Sequence, residues 1–385
     1  MKDLSDCRVL IVDDVKANVD VLVHALSKDY KLSVALGGQQ ALDAVGRSLP
    51  DLVLLDIVMP DIDGYEVCRR LRAAEATREL PIMFLSSLED VKDKARGFEV
   101  GGNDYLTKPF EVLEVKARVR SLLKAKAYAD AVKAAAERDL RIAREIQMGL
   151  LPANPSAQVE GTGLDVHALL EPAQQVGGDL FEVLRLTDDR VLIAVGDVSG
   201  KGIPAALFMA VAMTLLRSMA RHGLPPDEIL RQLNDELLAQ NPRGMFVTLQ
   251  CLLFDLARRT VTCASAGHHD AVRVMPGQQP ELVFTSSGRV LGLMPSGDIG
   301  SETLSLDGGE TFVLFTDGVS EAHDPAGDLF GEERLLALLG SASGGSARET
   351  AVAVLDAVRR YAAGAKQSDD ITVLAVRVPI RSEAR

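Results

Sequence analysis

The chain has no excess of basic charge, no cysteine pair at CxxC spacing and no long uninterrupted apolar run. Each absence excludes something. Its 42 Lys and Arg stand against 55 Asp and Glu, for a net charge of −13. A chain this acidic is repelled by phosphate backbones and anionic lipid. With no recognition helix or basic-aromatic platform either, nucleic acid is not expected as a direct partner. The four cysteines, Cys7, Cys68, Cys251 and Cys263, are scattered, and three of them lie in or beside apolar strand-like runs. They read as reduced, partly buried thiols of a cytoplasmic protein rather than as a disulfide framework. The N-terminus MKDLSDCRVL has no apolar signal core. No stretch approaches the ~18 apolar residues of a membrane span, so no membrane partner is expected. At 47% hydrophobic and 25% charged residues the composition is that of globular material rather than disorder. A length of 385 residues predicts two or three domains.

Residues 7–124 alternate short apolar runs with amphipathic segments. The runs are Arg8–Val12, Leu32–Leu36, Leu52–Leu55, Ile82–Leu85 and Asp104–Thr107. Alternation of this kind predicts βαβ units and a parallel sheet covered on both faces by helices. From Glu111 to Leu150 there is no proline, and Gly149 is the only glycine. The Ala, Lys, Arg, Glu and Leu content there favours helix. Ala125, Tyr128, Val132, Ala135, Asp139, Ile142 and Ile146 step by three and four. That spacing suits a dimerising coiled coil, with a single helix lying on a neighbouring domain as the alternative. The LeuLeuPro at 150–152 ends the segment. A second domain is expected over 161–378, with strand-like runs at Val191–Val195, Phe246–Asp255, Thr260–Ala264, Ala271–Met275, Thr311–Phe315 and Ile371–Val378. Helical stretches at Pro204–His222, Pro226–Gln240, about Glu332–Leu339 and Ala347–Ala362 interrupt them. Meandering strands with paired helices predict an α+β layered sandwich.

Two acidic constellations stand out. In the first, Asp13 and Asp14 end the first strand and Asp56 ends the third. Ser86 follows the fourth and Lys108 the fifth. The C-terminal ends of parallel strands converge on one crevice, so three carboxylates, a hydroxyl and a lysine should meet there. Crowded carboxylates repel, and a hard cation such as Mg²⁺ relieves that. Asp56 could then attack a phosphoryl group while Lys108 and Ser86 bind its oxygens. Helix capping accounts for one or two of these acids but not for the set.

Residues 7–124 resemble the receiver domain of two-component response regulators. The likeness is carried by VLIVDD at 9–14, LVLLDIVMPDIDGYEV at 52–67, PIMFLSS at 81–87 and GGNDYLTKPF at 101–110. It implies a doubly wound, flavodoxin-like α/β fold and a cognate histidine kinase. Asp56 would be the phospho-acceptor, and Asp13 and Asp14 Mg²⁺ ligands together with the carbonyl of Val58. Ser86 would be the switch hydroxyl, Tyr105 the coupled aromatic, and Lys108–Pro109 a cis bond. Asn103 stands where that family usually has an acid.

In the second constellation, acids sit in Gly-flanked loops at strand ends: Asp179 in VGGDLFEV, Asp197 in AVGDVSGKG, Asp317 in VLFTDGVSEA, and Asp369 and Asp370 in QSDDITVLAV. Glycine beside an acid lets backbone approach an ion. Oxygen-only donors favour Mg²⁺ or Mn²⁺ over Zn²⁺. Two such ions can lower the pKa of a shared water and aim it at a phosphoester, with no Ser or Cys nucleophile required. One Asp-Gly turn alone would mean nothing, being common turn chemistry.

Residues 161–378 resemble the PPM (PP2C-like) phosphatases, in the bacterial sporulation-stage-II-E branch. VGGD, GDVSGKGIPAALFMA, SAGHHD, FTDGVSEA and DDITVLAV occur in the family's order. The resemblance implies an α-β-β-α sandwich. Asp179 and Asp197 would bridge two metals, assisted by the Val198 carbonyl, and Asp317 and Asp369 would hold the second ion, with Asp370 ranked below Asp369. Glu182 replaces a frequent Asp, His269 and Asp270 replace a polar-Pro pair, and His268 reads as a loop residue. Lys201 is a candidate phosphate contact, or else an exposed loop lysine.

Together the two resemblances imply a cytoplasmic response regulator that dephosphorylates phosphoserine or phosphothreonine on a partner, with a STAS-type anti-sigma-factor antagonist as the leading candidate. Control would pass from Asp56 through RIAREIQMGLLP at 141–152, in a homodimer joined at the linker. The competing expectation is a non-catalytic, phosphorylation-dependent adaptor with a degenerate phosphatase fold. A DNA-binding regulator is disfavoured by charge and by the missing segment.

Overall fold

The computed structural model describes residues 3–87, 91–285, 289–295, 297–341 and 344–380. The chain forms two compact units that divide between Arg138 and Asp139.

The first unit is a five-stranded parallel sheet. In chain order it comprises β1 (Arg8–Val12), α1 (Lys16–Leu26), β2 (Lys31–Ala35), α2 (Gly38–Arg47), β3 (Leu52–Asp56), α3 (Gly64–Ala73), β4 (Ile82–Ser86), α4 (Val91–Glu99), β5 (Asp104–Thr107) and the start of α5 (Val112–Leu150). The strand order β2-β1-β3-β4-β5 is doubly wound, with the order reversing beside β1. Leu52–Leu55 and Ile82–Leu85 are almost wholly buried because helices cover both faces. Val9, Ile11, Leu54 and Leu85 pack on one side with Val115 and Val119 of α5, while Leu10, Val53, Leu55 and Phe84 pack on the other. Asp63 caps α3 by accepting from Glu66 N–H. The Lys108–Pro109 bond is cis.

The second unit is a sandwich of two five-stranded sheets. It continues with α6 (Pro155–Gln158), β6 (Asp165–Glu171), β7 (Leu180–Arg185), β8 (Arg190–Val198), α7 (Ile203–Ala220), α8 (Pro226–Ala239), β9 (Val247–Asp255), β10 (Thr260–Ala266), β11 (Ala271–Val274), β12 (Glu281–Val283), β13 (Glu302–Ser305), β14 (Thr311–Phe315), α9 (Asp317–Ser320), α10 (Gly331–Ser341), α11 (Ala347–Ala362) and β15 (Ile371–Arg377). One sheet runs β13-β10-β9-β8-β7 and the other β12-β11-β14-β15-β6. Within each sheet the pairings are antiparallel. The paired helices α7 and α8 cover the first sheet, and α10 and α11 cover the second. Four strands, β6, β7, β12 and β13, lie outside the runs picked out in the sequence. Buried Glu182 interrupts the apolar pattern of β7, and Glu302–Ser305 is a largely exposed edge strand.

By length and composition α7 could cross a membrane. Its Ala205, Met209, Ala212, Met213, Leu216 and Ala220 stripe is buried in the sandwich core.

Candidate functional site

The strand order of the first unit delivers Asp13, Asp56, Ser86 and Lys108 to one sheet edge. Asp13 is fully buried and Asp56 nearly so, whereas Asp14 is exposed. Ligand oxygens of Asp13, Asp14 and Asp56 lie within 4.8 Å of one another. Lys108 Nζ is 2.8 Å from Asp13 Oδ2 and 2.8 Å from Asp56 Oδ2. Asp13 Oδ1 also accepts from Val15 N–H at 2.9 Å, which fixes its carboxylate. Burial, and then the charge of Asp13, push the Asp56 carboxyl up, while Lys108 opposes them. Burial disfavours the Lys108 ammonium, yet the two carboxylates raise it above the ordinary lysine value, so it stays charged.

Ser86 is buried at the end of β4, and exposed Val58 follows β3. The buried Tyr105 ring lies 5.3 Å from Phe84 and 5.5 Å from Phe98. Asn103, the departure noted in the sequence, accepts from Ile82 N–H at 2.9 Å and from Arg72 at 3.0 Å, a structural junction beside β4.

In the second unit the acids come from four separate chain segments. Asp179 precedes β7, Asp197 is the second-last residue of β8, Asp317 starts α9 after β14, and Asp369 and Asp370 precede β15. Asp179 is buried, and its Oδ2 accepts from Thr316 Oγ1 at 2.8 Å and Thr372 Oγ1 at 2.5 Å. Desolvation, reinforced by Asp197, drives the Asp179 carboxyl far above the usual carboxylate range. Asp197 is pushed up to about 7 by burial and then by Asp317 and Asp369, although contact with Asp179 opposes this. Asp317 is raised by burial and then by Asp369. Asp197 thus acts on Asp179, and Asp369 acts on both Asp197 and Asp317, so the four acids lie near one another.

The donors are oxygen only, and Asp317 Oδ1 is buried with no hydrogen-bond partner among the described residues. Repelling carboxylates with an orphaned oxygen suit hard divalent cations. The set is looser than the first: among the described residues, only Asp13, Asp14 and Asp56 bring three such groups within 4.8 Å.

The neighbouring residues separate in role. Asp370 uses both carboxylate oxygens on backbone, accepting from Ala173 N–H at 2.8 Å and Gly178 N–H at 2.8 Å. Lys201 Nζ lies 3.0 Å from Asp369 Oδ2 and also donates to the Ser368 carbonyl. Glu182 is buried in an ion pair with Arg217, whose guanidinium also donates to the Leu150 carbonyl. His268 is buried with Nδ1 2.9 Å from Thr248 Oγ1, and desolvation pushes it down to about 3, so it is neutral. His269 stacks on Phe315 at 5.4 Å.

Thr316, Thr372 and Gln147 carry contacts that the sequence reading did not assign. The first two sit beside the acids in FTD and DDIT, which was the available signal. Gly177 and Gly178 let their loop slip between the acids. A Cβ on Gly177 would lie 1.7 Å from Asp370 Oδ2, and one on Gly178 would lie 2.4 Å from the Val198 carbonyl oxygen.

Comparisons with known proteins agree with both halves. The model for stage II sporulation protein E (SpoIIE) matches residues 187–379, half of the chain, and that for the response regulator receiver domain matches residues 9–120. Protein IcfG of Synechocystis sp. is 25% identical over 403 residues, covering 95% of this chain and 58% of its own length. Response regulator PleD of Caulobacter vibrioides is 37% identical over 177 residues, covering 45% of this chain and 37% of its own. The chain thus spans about a third to three fifths of these relatives. Among solved structures, the SiaA-PP2C domain of Pseudomonas aeruginosa aligns with TM-score 0.57 at 26% identity, covering 64% of this chain and 98% of that one. The RsbU and RsbW domains of Rv1364c from Mycobacterium tuberculosis align with TM-score 0.51 at 25% identity, over 57% of this chain and 61% of that one.

Proposed function

Because the chain belongs to the SpoIIE family and carries a response regulator receiver domain, we propose that it is a two-component regulator whose output is Mg²⁺- or Mn²⁺-dependent dephosphorylation of phosphoserine or phosphothreonine on a partner protein. The observation that carries this reading is the closeness of Asp179, Asp197, Asp317 and Asp369, with Asp197 pushed up to about 7 by burial and then by Asp317 and Asp369 and Asp317 Oδ1 without a hydrogen-bond partner among the described residues.

In this reading Asp179, Asp197 and the Val198 carbonyl, together with Asp317 and Asp369, would hold two divalent ions. Bound there, such ions would supply an activated water as the nucleophile for phosphoester hydrolysis. The protein's own part is positional. Thr316 and Thr372 fix the Asp179 carboxylate, and Asp370 holds the backbone that precedes it. In the receiver, residues 7–124, Asp56 accepts the phosphoryl group from a histidine kinase with Mg²⁺ held by Asp13, Asp14 and the Val58 carbonyl. Lys108 and Ser86 bind its oxygens, and Tyr105 responds. Residues 125–152 link this unit to a phosphatase domain over 161–378. The exposed stripe of Tyr128, Val132, Ile142 and Ile146 supports pairing of two linkers in a cytoplasmic homodimer. The proposed client is a STAS-type anti-sigma-factor antagonist.

The test is hydrolysis of para-nitrophenyl phosphate by the full-length protein with Mn²⁺, with and without an acyl-phosphate donor. Activity abolished in Asp197→Ala supports the enzyme. Absence of Mn²⁺-dependent hydrolysis from the wild type leaves the adaptor reading. Equal rates with and without the donor, and in Asp56→Asn, remove the receiver from control. Comparing phosphoproteomes with and without the protein then identifies the client.

A further inference from the structure

Gln147 is buried near the end of α5, although the flanking Ile146 and Met148 are exposed. Its carboxamide forms both hydrogen bonds of a backbone-like pair with Gly177. Nε2 donates to the Gly177 carbonyl at 2.7 Å, and Gly177 N–H donates to Oε1 at 3.2 Å. A primary amide offers a donor and an acceptor side by side in one plane, which neither a carboxylate nor an apolar chain of the same length provides.

Gly177 lies two residues before Asp179, and the backbone between them is held from another direction by Asp370, which accepts from Gly178 N–H at 2.8 Å. No side chain fits at Gly177, since a Cβ there would meet Asp370 Oδ2 at 1.7 Å. The end of α5 is fixed a second time. Arg217 donates to the Leu150 carbonyl, one of the helix's unsatisfied terminal acceptors, and ion-pairs with Glu182, three residues beyond Asp179. The stretch bearing Asp179 is therefore anchored before and after the acid to the last turns of α5. A polar side chain buried this fully in both of its hydrogen bonds resists displacement, because leaving either partner unsatisfied carries a desolvation penalty.

We propose that Gln147 is a positioning residue for the acid site: the last turns of α5 set where Asp179 stands against Asp197, and displacing that turn moves the acid. The proposal rests on the reading of Asp179 as a metal-holding acid, and it goes further by naming the contact through which the helix reaches it. Neither nitrogen nor oxygen of Gln147 touches an ion or a substrate in this scheme; the side chain acts through Gly177.

The experiment uses the full-length protein as wild type, Gln147→Ala, Gln147→Glu and, as a control on the exposed side of the same turn, Met148→Ala. Three quantities are measured: amide hydrogen exchange along the whole chain, thermal midpoint, and Mn²⁺ affinity by electron paramagnetic resonance of the free ion. Gln147→Ala should speed exchange in a segment confined to about residues 173–182 and weaken Mn²⁺ binding roughly 10- to 100-fold, the range typical for loss of a partner that orients a ligand. Gln147→Glu keeps the acceptor for Gly177 N–H but loses the donor, and should fall between Gln147→Ala and wild type. Met148→Ala should match wild type in both readouts.

Wild-type exchange and wild-type Mn²⁺ affinity in Gln147→Ala overturn the proposal. So does faster local exchange with unchanged affinity, because the contact is then only structural. Lost protection spread evenly over the sandwich, with a fallen midpoint, also overturns it. If the wild type itself binds no Mn²⁺, the metal reading of Asp179 fails. The anchoring of 173–182 by Gln147 then stands or falls on exchange alone.

Discussion

The hydroxyl of Thr372 donates to Asp179 Oδ2 across 2.5 Å, and Thr316, just past the end of β14, donates to the same oxygen. Two hydroxyls on one carboxylate oxygen fix the direction in which its mate points. Thr372 comes from β15 and Asp179 from the entry to β7, so the contact joins the two sheets at the site. Thr372→Val keeps the shape and removes the donor. It should lower kcat/KM on para-nitrophenyl phosphate by roughly 10- to 100-fold, with KM for Mn²⁺ rising. Stability should fall by only about 1 kcal/mol, the usual net value of one hydrogen bond. Steady-state kinetics across a Mn²⁺ titration, paired with urea melts, separate the two effects. An unchanged Mn²⁺ dependence would count against an orienting role for Thr372.

The second prediction concerns pH in the metal-free protein. Asp197 is pushed up to about 7 by burial and by Asp317 and Asp369, against about 3.9 for an unfolded aspartate. Between those values the folded chain binds more protons at this site than the unfolded chain, so stability falls as pH rises from about 4 to 7 and then levels. Asp197→Asn removes that loss. After chelation, its stability should exceed that of the wild type at pH 8 by at most about 4 kcal/mol, the ceiling set by a three-unit shift, and the gap should close near pH 4. Chemical denaturation at both pH values measures it. Mn²⁺ binding by the wild type should strengthen over the same rise, because a cation competes with the proton for this carboxylate.

Much of this site was legible because its acids sit in short glycine-flanked loops directly after or before apolar strand runs, as Asp197 does after Val191–Val195 and Asp317 after Thr311–Phe315. Convergence then follows from strand ends meeting at one side of a sandwich. The supports were less visible for physical reasons. Gln147 sits among Arg, Glu and Met on a helix that reads as solvated, and only the loop at Gly177 makes it an interior residue. Arg217 is one cation near the end of the apolar helix α7, and nothing local signals that it spans Glu182 and Leu150. The strands β6 and β13 escaped notice because their burial is partial, so the period-2 pattern that marks a half-buried strand is blurred.

The Glu182–Arg217 pair yields a third prediction. Glu182 is almost wholly buried, and burial raises its carboxyl even though Arg217 opposes this. Removing one partner leaves an uncompensated buried charge, so Arg217→Met should destabilise the second unit by about 3 kcal/mol or more. Adding Glu182→Leu to it should restore part of that loss, since an apolar pair of similar volume avoids the desolvation penalty. The Leu150 carbonyl still loses its donor, so recovery should be incomplete. Guanidinium melts of the three variants check the order: Arg217→Met lowest, the double variant between it and wild type.

Adjacent acids at the head of β15 should fail in opposite ways. Asp369 faces the acid cluster and pairs with Lys201 at 3.0 Å. Asp370 spends both oxygens on backbone, accepting from Ala173 and Gly178 N–H at 2.8 Å each. Asp369→Asn removes one negative charge from a crowded set while breaking only a half-exposed ion pair, worth about 0–1 kcal/mol. Metal-free stability should hold or rise, and Mn²⁺ binding should weaken. Asp370→Ala strips the acceptors from two amides at once, and should lower stability by about 2–4 kcal/mol whether metal is present or not. Asp370→Asn should be milder, because its carbonyl oxygen still serves one of the two amides while its NH₂ faces the other donor. Calorimetric Mn²⁺ titration and thermal melts of the three variants, run in parallel with wild type, decide the matter. If Asp370→Asn abolished Mn²⁺ binding at wild-type stability, Asp370 would be a ligand rather than the support of the loop that carries Asp179.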